Sequence, residues 1–156
     1  MELLRRNVVG RVVGVTGIEG AGCTYSDMQD FRNLAVWQRS QVLAVEVYRA
    51  TDSISGADAA GLRRQVRDAA MSIGANIAEG ARSGTRAQFA KYLQVSVASC
   101  SEVESHLDLA GRLGVIGKPR VDAMSDEVVQ VRKMLIVLRT RVLAGDGQLP
   151  RKPRPR

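Results

Sequence analysis

Four stretches of the chain repeat their apolar side chains every three or four residues, which is the spacing of one face of an α-helix. They cover residues 34–51, 57–81, 85–113 and 119–144. Helices of about 25 residues are about 38 Å long, and such short connections force neighbours to run antiparallel. We therefore predict an all-α fold, an antiparallel up-down-up-down four-helix bundle. The fourth stretch has the most regular pattern, a heptad seam formed by Val121, Met124, Val128, Val131, Leu135, Leu138 and Val142.

The two ends of the chain lack this periodicity. Residues 1–27 are rich in Gly, which indicates a flexible arm or an over-long gene prediction, and residues 146–156 read as a flexible, basic, proline-rich tail. We therefore predict that residues 28–145 form the four-helix bundle. Charged residues interrupt every apolar run before the roughly 18 to 20 residues that a membrane span needs, and no signal-peptide core forms. We expect a cytoplasmic protein with no membrane partner.

Small residues surround the apolar positions of the second stretch. Gly inside a helix costs about 1 kcal/mol relative to Ala, so a Gly there indicates that something must come close. We expect another helix, from the same chain or from a second subunit, to cross at Gly74. The small residues are Ala69, Ala70, Gly74, Ala75 and Ala78.

Polar side chains form a stripe beside these apolar positions. Ser72, Asn76 and Glu79 recur at helical spacing in the second helix, and Ser99 and Glu102 do so in the third. The two groups would exchange hydrogen bonds if they meet, with both carboxylates paired to arginines or backbone donors. Two interpretations remain open. The stripe is either a buried network that fixes the register of the helices or a partner pocket lined by two carboxylates.

The net charge of +7 is concentrated towards the C-terminus. Residues 28–145 carry a net +4 and residues 146–156 a net +3. Such charge is typical either of a solvated surface or of contacts to the phosphates of RNA. Trp37, Tyr48 and Tyr92 fit core or interface positions, so RNA binding would be electrostatic and weakly sequence-specific. The candidate nucleic-acid-binding residues are Arg132, Lys133, Arg139 and Arg141 in the fourth helix and Arg151, Lys152, Arg154 and Arg156 in the tail.

Motifs for catalysis are incomplete. The segment GIEGAGCT has the spacing of a phosphate-binding loop, but Cys23 occupies the position of the essential Lys. His106 is the only histidine, whereas a di-iron bundle needs two Glu-x-x-His motifs and two further Glu residues. Cys23 and Cys100 have no metal-ligand spacing, which favours unpaired thiols in a reducing compartment. We expect no metal, no cofactor and no enzymatic activity.

Three stretches carry a resemblance to a known family: FRNLAVWQRS followed by Val47 and Tyr48, then LRRQVRDAAMSIGANIAEGARS, then FAKYLQVSVASCSEVESHLDLAGRLGVI. They resemble the four-helix bundle proteins first found encoded within intervening sequences of bacterial 23S rRNA genes. The resemblance implies a ring-like homo-oligomer, often a pentamer, without enzymatic activity. Structurally similar bundles serve as RNA-binding accessory subunits of reverse transcriptases. Asp68 departs from the family pattern, since a basic residue is common there.

Two classes of function follow. The first is a homo-oligomeric scaffold that binds structured RNA or a nucleic-acid-processing partner through basic surfaces. The second is a protein-interaction or assembly module with no nucleic-acid role. The salt dependence of RNA binding separates them, because counterion release gives a steep slope only where phosphates are contacted.

Overall fold

The computed structural model describes residues 30–52, 54 and 56–145, and these form four α-helices. A 3₁₀ turn, Phe31–Asn33, leads into α1 (Ala35–Thr51), α2 (Ala57–Ala81), α3 (Arg86–Arg112) and α4 (Lys118–Ala144). The predicted all-α four-helix fold is confirmed, and each predicted helix begins and ends within one residue of the observed bounds. The predicted arm 1–27 and tail 146–156 lie outside the described residues.

Local chemistry fixes the ends of the helices. The Thr85 hydroxyl accepts a hydrogen bond of 3.2 Å from the Gln88 backbone N–H and so caps the start of α3. Pro119 lies in the first turn of α4, where its missing N–H costs no hydrogen bond. Gly145 ends α4 in the left-handed conformation, with φ of 71°.

The helices pack in sequence order around one core and close with α1 beside α4. At one end of the bundle the backbone of Gly111 in α3 lies against Val121 in α4. At the other end the Arg86 guanidinium lies against Gly145. These two contacts join the end of α3 to the start of α4 and the start of α3 to the end of α4. The two helices are therefore antiparallel.

The core is aliphatic, and the predicted heptad seam of α4 lies in it. Six of its seven residues are buried, and Leu138 is partly buried against the core. Cys100 of α3 is also completely buried. Burial raises the pKa of its thiol to about 12, while the nearby charges of Arg132 and Glu104 act in opposite directions. The thiol is therefore neutral at physiological pH.

Two glycines of α2 allow its neighbours to approach closely. A Cβ at Gly80 would lie 2.7 Å from Phe89 Cδ2 and 2.7 Å from Tyr92 Cβ, both in α3. A Cβ at Gly74 would collide with the Gln41 side chain of α1. The close crossing expected at Gly74 is thus a contact between helices of the same chain.

Two ion pairs connect α4 to its neighbours. Arg39 of α1 forms a bidentate ion pair with Glu127 of α4. Its Nε donates to Oε1, and its Nη2 donates to Oε2 at a distance of 2.8 Å. The hydrogen bond from Glu127 raises the pKa of Arg39, although burial opposes this shift. On the opposite side of α4, Arg132 Nη1 donates to Glu104 Oε2 of α3 at 2.5 Å. The pairs are half-buried and fix the register of α4 against both helices.

We predict that Gly80→Ala lowers the free energy of unfolding by up to about 2 kcal/mol. The new methyl group would overpack the α2–α3 contact, which typically costs about 1 to 3 kcal/mol and outweighs the gain of about 1 kcal/mol in helix propensity. Urea denaturation followed by circular dichroism measures the change.

Gly61→Ala is the matched control, because Gly61 lies in the same helix and an added Cβ there meets nothing within 4 Å. This variant should gain up to about 1 kcal/mol from helix propensity alone. Equal stability of the two variants would contradict a close contact at Gly80.

Candidate functional site

Two segments that contain no acidic residue lie side by side at one end of the bundle. They are residues 86–101 of α3 and residues 128–145, which form most of α4 and its cap. The contact between Arg86 and Gly145 shows that the start of the first segment meets the end of the second. The C-terminal turn of α2 joins them there, since Gly80 contacts Tyr92. We call this region the basic end and define it by Arg82, Arg86, Lys91, Lys133, Arg139 and Arg141, of which Lys133 lies nearest to the middle of α4, 12 residues before Gly145.

The side chains of the basic end have no acidic partner. Among the described residues, none of the six forms an ion pair, and Lys91, Lys133 and Arg141 are exposed. Arg82 is also exposed, with its guanidinium 5.2 Å from the centre of the Phe31 ring. Unpaired cations on one surface raise the local positive potential and attract polyanions, and the exposed carboxylate of Glu79, three residues before Arg82, offsets part of this potential.

At the opposite end of the α3–α4 pair two of the three cations are matched by carboxylates, whereas Arg120 forms no ion pair with a described residue. Arg112 Nε lies 2.7 Å from Asp108 Oδ2, and Lys118 Nζ lies 3.1 Å from Asp122 Oδ1. These exposed pairs contribute little to stability, but they neutralise the local charge. The charge of the α3–α4 pair is therefore unevenly distributed along its length.

The four basic residues predicted in α4 occupy two different environments. Lys133 and Arg141 are exposed, as the interpretation of a solvated basic face requires. Arg132 differs, because its guanidinium is half-buried against Glu104. Arg139 is also half-buried, and its Nε has no hydrogen-bond partner among the described residues. The four predicted residues of the tail, Arg151, Lys152, Arg154 and Arg156, lie outside the described residues.

Arg82, Arg86 and Lys91 belong to the same surface but were not predicted. They come from the end of α2 and the start of α3, more than 40 residues before Lys133 in the chain. The signal that identifies them is the absence of acidic residues from residue 86 to residue 101 together with the antiparallel order of α3 and α4.

The predicted polar stripes of α2 and α3 do meet, through three of their five residues. Ser99 Oγ donates to Ser72 Oγ at 3.0 Å across the interface. Asn76 Nδ2 donates to the backbone oxygen of Ser72 at 2.8 Å and to its Oγ at 3.0 Å. This compact network lies at the edge of the core and links α2 to α3 through the Ser99–Ser72 hydrogen bond, which supports its interpretation as a packing device.

The two carboxylates of the stripe differ from the expectation. Glu79 and Glu102 are exposed and form no ion pair or side-chain hydrogen bond with a described residue. These exposed carboxylates therefore do not belong to the network formed by Ser72, Asn76 and Ser99.

Ser96 forms a second polar link that was not predicted. Its hydroxyl is completely buried and donates to the backbone oxygen of Ile73 at 3.0 Å. A side-chain bond to a helix carbonyl requires the two backbones to be close, so this bond depends on the small residues of α2.

Groups capable of metal or redox chemistry are scattered. In the part of the chain that the structure describes, no three His, Cys, Asp or Glu side chains lie close enough to hold a metal ion. Nor does any described helix have a stretch long and apolar enough to cross a bilayer. The segment GIEGAGCT, at residues 17–24, lies outside the described residues.

Comparisons with known proteins agree with this fold. Residues 32–137 match the family model described as 23S rRNA-intervening sequence protein. A crystal structure of a protein of unknown function from the S23 ribosomal protein family of Bacteroides thetaiotaomicron superimposes with a TM-score of 0.60 at 24% identity, over 67% of this chain and 95% of that chain. The curated proteins contain no match.

We predict that Ser99→Ala lowers the free energy of unfolding by about 0.5 to 1.5 kcal/mol, because it removes the hydrogen bond to Ser72 at a buried position. Glu79→Ala and Glu102→Ala should each stay within about 0.5 kcal/mol of the unaltered protein, as expected for exposed side chains without partners. Thermal and urea unfolding give the comparison. A larger loss at either glutamate than at Ser99 would show that the carboxylates are part of the network.

Proposed function

Because the chain belongs to the 23S rRNA-intervening sequence protein family over residues 32–137, we propose that it is a non-enzymatic cytoplasmic scaffold that assembles as a homo-oligomer and binds structured RNA. The observation that carries this proposal is the basic end, where six basic side chains have no acidic partner among the described residues. The alternative is an assembly module that contacts other proteins and has no nucleic-acid role.

The charge of the basic end fits a phosphate backbone better than a single small anion. Its cations are spread over three helices and are mostly exposed, so they do not converge on one point. Residues 146–156, which follow α4 in the sequence, add a net +3. Contacts that are distributed in this way neutralise several phosphates and release their counterions.

Among the described residues of the basic end, no aromatic ring is exposed for RNA bases to stack on. Phe31 is buried, and its ring meets Trp37 edge to face at a centroid distance of 5.0 Å. Tyr92 is half-buried beside Gly80. Recognition would therefore follow the shape and charge of the RNA rather than its sequence.

Exposed apolar side chains support the assembly. Val42 and Val45 lie one turn apart on the outward face of α1, with exposed fractions of 55% and 48%. A second apolar group on α4, Ile136, Val137 and Leu143, is exposed to a similar extent. Single copies have few phosphate contacts, and joining several copies raises the effective concentration of each basic end on one RNA.

We predict that the protein forms an assembly larger than a dimer at micromolar concentration. Light scattering coupled to size exclusion should return more than twice the chain mass of 16.9 kDa. Val42→Glu combined with Val45→Glu should lower that mass, because it introduces charges on the proposed contact face. A monomer in the unaltered protein would contradict the assembly.

We predict that Lys133→Gln combined with Arg141→Gln weakens binding to unrelated structured RNAs to a similar extent. The plot of log affinity against log salt should become shallower by about 1.5 to 2, because two phosphate contacts are lost. Fluorescence anisotropy with labelled hairpins at several salt concentrations measures both quantities. Truncation after Gly145 should flatten the slope further.

The matched control is Arg112→Gln combined with Lys118→Gln, which removes the same charge from the opposite end of α3 and α4, where both cations are paired. This control should bind nearly as the unaltered protein does. If the two double variants lose affinity equally, only net charge matters and the basic end is not the interface. If the unaltered protein shows no salt-dependent binding, the module without a nucleic-acid role is favoured.

A further inference from the structure

A groove between the end of α1 and the start of α2 has the chemistry of an anion site. Its volume is about 500 Å³, and three arginines, Arg63, Arg64 and Arg67, line it together with Tyr48. It lies at the end of the bundle opposite to the basic end, because α1 finishes and α2 begins there. The groove is therefore not part of the surface described above.

Two of the three arginines are held in place by the protein. Arg67 Nε donates to Thr51 Oγ1 at 2.8 Å, and its Nη2 donates to the backbone oxygen of Tyr48 at 3.2 Å. Its guanidinium also lies 4.4 Å from the centre of the Tyr48 ring. Arg63 Nη1 donates to the backbone oxygen of Ile54 at 2.7 Å. A ligand would meet side chains whose conformational entropy has already been lost on folding.

Donors remain after these contacts are made. A guanidinium carries five N–H groups, and the described residues supply no acceptor for Nη1 of Arg67 or for Nε and Nη2 of Arg63. Arg64 is exposed and forms no hydrogen bond or ion pair with a described residue. All of the N–H donors of its guanidinium are available to a phosphate, which a guanidinium binds through bidentate hydrogen bonds.

The nearby carboxylates do not neutralise these arginines. Asp68 also lines the groove. It follows Arg64 by four residues, an order that is less favourable for helical ion pairs than the reverse, and it forms no ion pair with a described residue. Asp52 lies 3.7 Å from Arg67 Nη2, but its side chain is 89% exposed. Such a solvated pair is weak. The groove therefore keeps an excess of positive charge.

We propose that this groove holds a phosphate group of the bound RNA, as a second contact that is independent of the basic end. The proposal rests on the RNA-binding function proposed above. Arg64 of the groove and Arg82 of the basic end are 18 residues apart along α2, about 27 Å at 1.5 Å per residue, which a structured RNA can span and a small anion cannot. The groove is also wider than one phosphate, because Gly61 leaves its rim open.

Arg64→Gln is the sharpest test, because it removes the unpaired guanidinium and leaves the contacts of Arg63 and Arg67 intact. The same labelled hairpin RNA and anisotropy assay should show an affinity about three- to tenfold lower and a salt slope shallower by about 0.7 to 0.9. Arg64→Lys should restore the slope of log affinity against log salt but not the full affinity, because a lysine keeps the charge and lacks the bidentate donors of a guanidinium.

Arg49→Gln is the matched control. Arg49 lies on the exposed face of α1 and pairs with Glu46 at 2.8 Å, so the variant loses the same charge outside the groove. Its affinity and slope should stay unchanged. Equal losses in Arg49→Gln and Arg64→Gln would overturn the proposal.

The two proposals can fail separately. If Arg64→Gln binds normally while Lys133→Gln with Arg141→Gln is weakened, the groove is not an RNA contact and the basic end remains. If instead Arg64→Gln is weakened while Lys133→Gln with Arg141→Gln binds normally, the groove is an RNA contact and the basic end is not. If both contribute, their effects on log affinity should add in the triple variant, because sites so far apart do not couple.

Inorganic phosphate and adenosine monophosphate distinguish an RNA phosphate from a small ligand. Under the proposal each displaces RNA only weakly and at high concentration. If either binds tightly in an Arg64-dependent manner that the RNA does not compete with, the groove serves a small phosphate compound instead, and the proposal is overturned.

Discussion

The whole bundle depends on how closely α2 can approach its two neighbours. That distance is set where α2 has no Cβ, at Gly74 towards α1 and at Gly80 towards α3. Only at such a distance can the Ser96 hydroxyl reach the backbone oxygen of Ile73 in the facing helix. The apolar seam of α4 packs against the apolar surface that the other three helices leave uncovered. The two ion pairs of α4 then select its register.

The spacing of apolar residues predicted all four helices to within one residue, because burial of one helical face is a local and periodic demand. It predicted less well which polar residues beside that face are covered. Ser99 is buried whereas Glu102, one turn later, is exposed. Coverage at the edge of a face depends on the crossing angle of the neighbouring helix, and the sequence alone does not provide this angle. Arg132 and Lys133 differ for the same reason, since only the first faces α3.

The charge pattern shows a second limit of sequence reasoning. Positive residues in α4 are visible at once in the sequence, but their effect depends on which carboxylates lie nearby in space. Residues 86–101 lack acidic groups, and only the antiparallel order of α3 and α4 places that segment beside the end of α4. The arginines of the α1–α2 groove were overlooked because Asp68 appeared to break a basic face. In the structure, Arg67 turns instead towards Thr51 at the end of α1.

The reactivity of the buried Cys100 thiol reports how stably α4 packs against α3. It lies close enough to Arg132 and Glu104 for both charges to influence its pKa, yet it is completely shielded from solvent. A thiol reagent can reach it only after part of the α3–α4 seam has opened, and the exposed thiol then regains an ordinary pKa and reactivity. The rate of labelling at Cys100 therefore reports the opening of this seam, through the opening rate when labelling is faster than reclosing and through the open population when it is slower. An RNA or a neighbouring subunit that clamps α4 would slow that rate without touching the sulfur.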